Sequence, residues 1–285
     1  MFSIYILILY ILLVAFRPTR KIAAALTPWL VFACSYDAMR LWPNYEANAI
    51  DIRGLYDAEK HLFGITSGIS VLIPSEFFAL HHCTAADLLA GFFYLCWVPL
   101  PLCFGLYLYF KGQCKDYLRF SLAFLFVNLL GFCGYYIHPA APPWYAMYYG
   151  FEPILHTPGN VAGLGRFDQL TGIPIFHALY GANANVFAAV PSLHAAYMFI
   201  TTVYAIISRQ RWQTVCIFTL ICMGIWFTAI YTGHHYVIDV LLGIAVAIVG
   251  IFVLEKIIFR IPAVRHGLER YVRFISLPPK TFTNS

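Results

Sequence analysis

At 285 residues, 61% hydrophobic and only 11% charged, the chain excludes a soluble globular domain. Its mean hydropathy of +0.73 points to a polytopic transmembrane helical bundle, all-α in fold class. The net charge of +5 fits contact with anionic membrane lipids, and no nucleic-acid partner is expected from so sparse a set of bases.

In chain order, apolar runs predict spans over roughly residues 2–16, 22–41, 87–110, 117–138, 189–207, 213–231 and 236–258. The first is short: about 15 helical residues reach ~22 Å against a hydrocarbon core of ~30 Å. It lacks a basic n-region and a small-residue cleavage site, so it does not read as a removable signal. Arg17, Arg20 and Lys21 fall between the first two spans. Lys111, Lys115 and Arg119 fall between the third and fourth, Arg209 and Arg211 between the fifth and sixth, and Arg260, Arg265, Arg270, Arg273 and Lys280 after the last. These are alternate connections, so one side collects the bases and reads as cytoplasmic.

Two long outer loops, 42–86 and 139–188, mix aromatic residues with Gly and Pro and are expected to lie at the membrane surface and roof a site. No internal repeat or low-complexity linker divides the chain. It reads as one domain, 1–285, with a six-helix catalytic core over about 87–258 and a cytoplasmic tail over 259–285. The eight cysteines sit mostly inside spans and form no CxxC, which suits buried small apolar residues rather than a disulfide framework.

Two short stretches carry the chemistry. Pro191-Ser192-Leu193-His194 opens the fifth span, and His234-His235-Tyr236-Val237-Ile238-Asp239 opens the seventh. Both lie at the non-cytoplasmic end. Ionisable side chains in a membrane helix cost ~2.5–3.5 kcal/mol each on insertion scales, so such a cluster marks a site. His235 and Asp239 are four apart, on one helical face, where a carboxylate can hold an imidazole in one tautomer. Pro191 suits a first turn, and Ser192 with the free N–H groups beside it makes an anion cradle. A cradle, an oriented nucleophile and a second histidine add up to phosphoryl transfer.

The pair Pro-Ser-x-His and His-x-x-x-Asp resembles the second and third motifs of the type-2 phosphatidic acid phosphatase superfamily, strongly over about 187–245. The resemblance implies His235 as nucleophile, Asp239 as its orienting acid and His194 as general acid. The Ser-Arg of the phosphatases is replaced by Thr228 and Ala229, and their lysine-arginine first motif is missing. Ala141-Pro142-Pro143-Trp144-Tyr145, Gly163-Leu164-Gly165-Arg166-Phe167-Asp168, the double histidine and the Tyr56–Gly64 segment are instead similar to the inositol phosphorylceramide synthase branch. That resemblance implies phosphatidylinositol and ceramide as lipid substrates, with no metal and no cofactor.

Arg166, the only base of the second outer loop, is expected to replace the missing anion binder. Asp168 would anchor Arg166 or meet inositol hydroxyls, while His234, Trp144 and Tyr145 are further substrate-binding candidates. Bland alternatives stand beside these: an interfacial arginine, a solvated carboxylate, an aromatic belt. Two other readings compete for the whole chain, a lipid phosphate phosphatase and a proton-coupled transporter, and a two-histidine, one-carboxylate metal site competes for the His194, His235 and Asp239 cluster. No HExxH or second acidic cluster supports the metal, and no inverted repeat supports the transporter.

Overall fold

The computed structural model describes residues 2–181 and 185–277, which are mostly helical, with one short hairpin among them. Lys280 and the end of the tail lie outside the described residues. The elements are α1 (Phe2–Ala15), α2 (Arg20–Ala38), α3 (Arg53–Phe63), the hairpin β1 (Ile65–Ser67) and β2 (Ser70–Leu72), α4 (Pro74–Leu80), α5 (Thr84–Leu95), α6 (Pro99–Phe110) and α7 (Cys114–Ile137). There follow α8 (Pro143–Tyr149), α9 (Gly165–Thr171), α10 (Ile175–Gly181), α11 (Leu193–Ile207), α12 (Trp212–Tyr231), α13 (Val237–Lys256) and α14 (Pro262–Ile275).

Among the described residues, three helices are individually long and apolar enough to cross a membrane: α7, α12, and α13 with its extension to Arg260. The count rises to five if each of two bent pairs is one span. The run 87–110, expected as one helix, is such a pair. α5 and α6 meet at a 42° bend, because Pro99 and Pro101 lack the N–H groups that would continue the ladder. α1 and α2 bend by 108° around Arg17-Pro18-Thr19, so the first two predicted spans form a sharply folded pair. α11 is apolar but only 15 residues long, shorter than its predicted span, since residues before Leu193 are extended.

Aromatic and aliphatic side chains of α6, α7, α11, α12 and α13 make the main core, with Phe104, Phe120, Phe124, Tyr204 and Ile225 among its buried members. Hydrogen bonds gather the basic connections at one end of this bundle. Lys21 Nζ donates to the Ser276 carbonyl, Tyr109 to the Ile275 carbonyl, and Tyr271 to the Ala24 carbonyl. Arg119 pairs with Glu255, which also accepts from the Tyr204 hydroxyl. The predicted tail thus continues as α14, docked beneath α2 and α7 with Ile275 buried.

The opposite end is roofed by both outer segments, whose described residues form short helices, a hairpin and connecting turns. Extended backbone at Asp51, Ala140 and Ala188 forms two isolated parallel bridges, with Ala141 N–H donating to Asp51 and Ala140 N–H to Phe187. These bridges stitch the two segments together just ahead of α11. Asn44, fully buried, donates to the Tyr135 and Phe187 carbonyls and clamps the same junction.

α11 and α13 start side by side because Gly243 admits the Ser192 backbone. A Cβ there would sit 2.0 Å from the Ser192 carbonyl oxygen, and backbone has no rotamer to escape into. Gly243→Ala is therefore expected to cost about 1–3 kcal/mol or more. It would register as a lower melting temperature in detergent together with lost turnover, whereas an unchanged melting temperature would contradict this close approach.

Candidate active site

Both sequence motifs are N-terminal caps, which is why they face each other. Pro191 precedes Ser192, the N-cap of α11, whose hydroxyl accepts from Ala195 N–H at 3.4 Å. Ser192 N–H in turn donates to the Asp239 carbonyl at 2.9 Å, locking the first turns of α11 and α13 together. On the other side, Gly233 at φ +76° ends α12, a left-handed position that glycine takes freely. The N–H groups of His234 and His235 both turn back to the Ala229 carbonyl. The turn thereby fixes both histidines before α13 begins.

The resulting geometry is a linear chain. His235 Nδ1 lies 3.3 Å from Asp239 Oδ2, and His235 Nε2 lies 2.9 Å from His194 Nδ1. The carboxylate assigns the Nδ1–H tautomer to His235, leaving the Nε2 lone pair directed at His194. His194 Nδ1 then carries the proton in that contact. Asp239 is fully buried and also accepts from Tyr236 N–H at 2.9 Å. His235 is buried too, and burial pushes its imidazole down to about 4, keeping the ring neutral. His194 rests on Trp97, with centroids 4.4 Å apart, and stacks on Tyr94 at 5.1 Å.

Glu59 of α3, not among the candidates, caps the helix that follows His235. Its carboxylate accepts from the Val237 and Ile238 N–H groups at 2.8 and 3.2 Å, although 178 residues separate it from Val237. It is 1% exposed. Burial pushes the carboxyl up to about 7 against the pull of those two bonds, with the Asp239 charge adding to the rise. The N–H groups at the start of α13 are thus occupied by the protein's own acid. Glu59→Gln would turn an amide NH₂ toward one of the two helix N–H groups. A buried donor left unpaired costs about 1–3 kcal/mol, so a lower melting temperature is expected, and an unchanged one would remove this capping role.

Four contacts clamp the turn before His235 from outside. Ser75 Oγ donates to the Ile230 carbonyl, Gly163 N–H to Thr232, Trp144 N–H to Gly233, and the Tyr231 hydroxyl to Asp87. Arg166 belongs to this shell. Its Nε lies 2.6 Å from Asp87 Oδ1, its guanidinium sits 5.1 Å above the Tyr231 ring, and its Nη2 is buried with no partner. Asp168, expected near it, is elsewhere: residues two apart on a helix do not share a face. Its carboxylate instead accepts from the Phe176 and His177 N–H groups and pairs with the His177 ring at 2.7 Å. Burial opposes its charge, yet those bonds hold the carboxyl below the ordinary range.

The remaining candidates are structural in their visible bonds. Tyr145 is fully buried, its hydroxyl donating to the Glu152 carbonyl and accepting from Ile154 N–H. His234 meets the Thr232 hydroxyl at 2.9 Å and stacks on Tyr180 at 4.3 Å, facing away from the His235–Asp239 pair. Burial, and then His235 and His194, hold its imidazole well below the ordinary range. His138 pairs with Asp51 at 3.2 Å. Ala229, standing where the phosphatase pattern has arginine, is packed among Tyr94, Leu164 and Phe176.

Comparison with known proteins agrees with this geometry. The family model described as PAP2 superfamily matches residues 66–253. A Bacteroides thetaiotaomicron protein named phosphoinositol dihydroceramide synthase is 59% identical over 265 residues, covering 93% of this chain and 87% of its own. Inositol phosphorylceramide synthase of Candida albicans is 29% identical over 61% of the chain, and that of Schizosaccharomyces pombe 27% over 87%. The chain spans only 38% and 57% of those two fungal proteins. No solved structure matches. With two thirds of its length in one family model and a relative that matches nearly end to end, this chain is a member of the PAP2 superfamily.

Proposed function

We propose that the protein is an integral membrane phosphotransferase that moves phosphoinositol from phosphatidylinositol to ceramide, giving inositol phosphorylceramide and diacylglycerol. The observation that carries this reading is the His194–His235–Asp239 chain, with His235 and Asp239 buried and His194 half-buried beneath the outer segments. The similarity to a named phosphoinositol dihydroceramide synthase supports the headgroup and the acceptor class.

The donor phosphodiester enters between the two rings, replacing the direct His194–His235 contact. Ser192 and the free N–H groups of α11 balance the developing negative charge. Donor charge favours the imidazolium form of His194. His235 Nε2 attacks phosphorus as the bond to the diacylglycerol oxygen breaks, and His194 Nδ1 gives that oxygen its proton. The N–P bond holds phosphoinositol on His235, while Asp239 stabilises the charged ring through Nδ1–H. Neutral His194 then takes the proton of the ceramide primary hydroxyl, whose oxygen attacks phosphorus and releases His235. Atoms and charge balance with no metal and no cofactor. The chain acts as a single domain, with its site at the non-cytoplasmic face, opposite the end that carries the basic connections.

Purified protein in detergent, given labelled ceramide, phosphatidylinositol and a chelator, is expected to form inositol phosphorylceramide and release little phosphate from phosphatidic acid. Free phosphate from phosphatidic acid with ceramide untouched would make it a lipid phosphatase.

A further inference from the structure

Beside the turn that leads into His235 lies a cleft bounded by Ser75, Trp144, Tyr148, Arg166, Thr232 and Gly233. Its chemistry is not that of a phosphate site. Asp87, 5% exposed, cancels the Arg166 charge through one nitrogen, and the Tyr231 ring covers one face of the guanidinium. The residue is therefore net neutral with its partner, held rigid, and still has Nη2 buried without an acceptor. A buried donor so placed costs about 1–3 kcal/mol until something accepts from it. The Thr232 and Gly233 carbonyls each accept one backbone bond, from Gly163 and Trp144, and each keeps a second lone pair. Trp144 and Tyr148 add flat apolar faces. A fixed donor, fixed acceptors and aromatic walls match a ring that bears hydroxyls on its edge and C–H groups on its faces. Gly163 preserves the gap: a Cβ there would come within 3.0 Å of Arg166 Nη2 and 2.8 Å of Thr232 Cα.

We infer that this cleft is the cyclitol subsite of the donor. Arg166 Nη2 donates to a ring hydroxyl and the 232–233 carbonyls accept from others, while the phosphate itself belongs to the α11 cradle and the histidines. Arg166 is then a specificity residue that reads the headgroup polyol, and Asp87 is the positioning residue that neutralises and aims it. This rests on the donor reading above and adds the residues that select it.

The test compares wild type with a double variant, Asp87→Asn/Arg166→Gln, which keeps a neutral hydrogen-bonded pair but removes the guanidinium. Phosphatidylinositol saturation curves are measured with ceramide in detergent, and phosphatidylglycerol, which carries the same phosphodiester without the cyclitol, is added as a competing lipid. In the variant KM for phosphatidylinositol is expected to rise tenfold or more, with kcat within about threefold and the inhibition constant of phosphatidylglycerol unchanged. That unchanged constant also reports a folded phosphate site. A loss of kcat at constant KM, or an equal weakening of both lipids, would overturn the assignment while leaving wild-type inositol phosphorylceramide synthesis, and so the transferase reading, intact. Failure of wild type to use phosphatidylinositol would instead remove the reading on which the subsite rests.

Discussion

His235→Ala is expected to bring phosphoinositol transfer to the assay floor, a loss on the order of 10⁶-fold, without unfolding the protein. The size follows from the chemistry: both half-reactions pass through a bond to Nε2, and no other imidazole can replace it. His234 is adjacent in sequence but turned toward Tyr180, and His194 is committed to the proton. The fold is expected to survive because the ring's bonds to His194 and Asp239 lie within the site itself and hold no helix in place. Asp239 would keep its bond from Tyr236 N–H. The check is single-turnover formation of diacylglycerol by a variant that remains monodisperse in detergent. Turnover by such a variant would remove the nucleophile assignment.

The second large effect belongs to Asp239→Asn. In the native site Asp239 Oδ2 accepts from both His235 Nδ1 and Tyr236 N–H. An asparagine with its oxygen in the Oδ2 place keeps both bonds and puts its NH₂ where Oδ1 stands, but it carries no negative charge. The positive charge that the ring gains when Nε2 bonds to phosphorus is then left without its counter-ion. Loss of the orienting carboxylate in a serine-protease triad costs about 10⁴-fold, and a fall of about 10³–10⁴ in kcat is expected here. The melting temperature should stay near wild type, since the substitution is isosteric. A variant retaining more than a tenth of wild-type kcat would mean that the Asp239 charge does not support the reaction.

The parts of this site visible in the sequence are those written in local spacing. His235 and Asp239 are one turn apart, the Pro-Ser cap precedes His194, and the long apolar runs of α7, α12 and α13 declare themselves by composition. What escaped is non-local. Glu59 caps a helix 178 residues away, and Asp87, not the nearby Asp168, holds Arg166. Nothing in a single sequence pairs such residues, because their contact is made by the roof folding over α12 and α13. The two outer segments read as loops for the same reason: their order comes from bridges at Asp51, Ala140 and Ala188 rather than from any periodic pattern. The break between α5 and α6 was written in Pro99 and Pro101, but the apolar run over 87–110 outweighed it.

The proposed mechanism requires a covalent phosphoinositol on His235. Enzyme mixed with phosphatidylinositol carrying ³²P in the headgroup phosphate, without ceramide, can be quenched in base and digested for mass spectrometry. An acid-labile label is expected on the peptide containing His235, approaching one per chain, that disappears into inositol phosphorylceramide when ceramide is added. Full transfer activity with no such label, and inversion of configuration at phosphorus, would contradict it and require direct attack by ceramide on the donor.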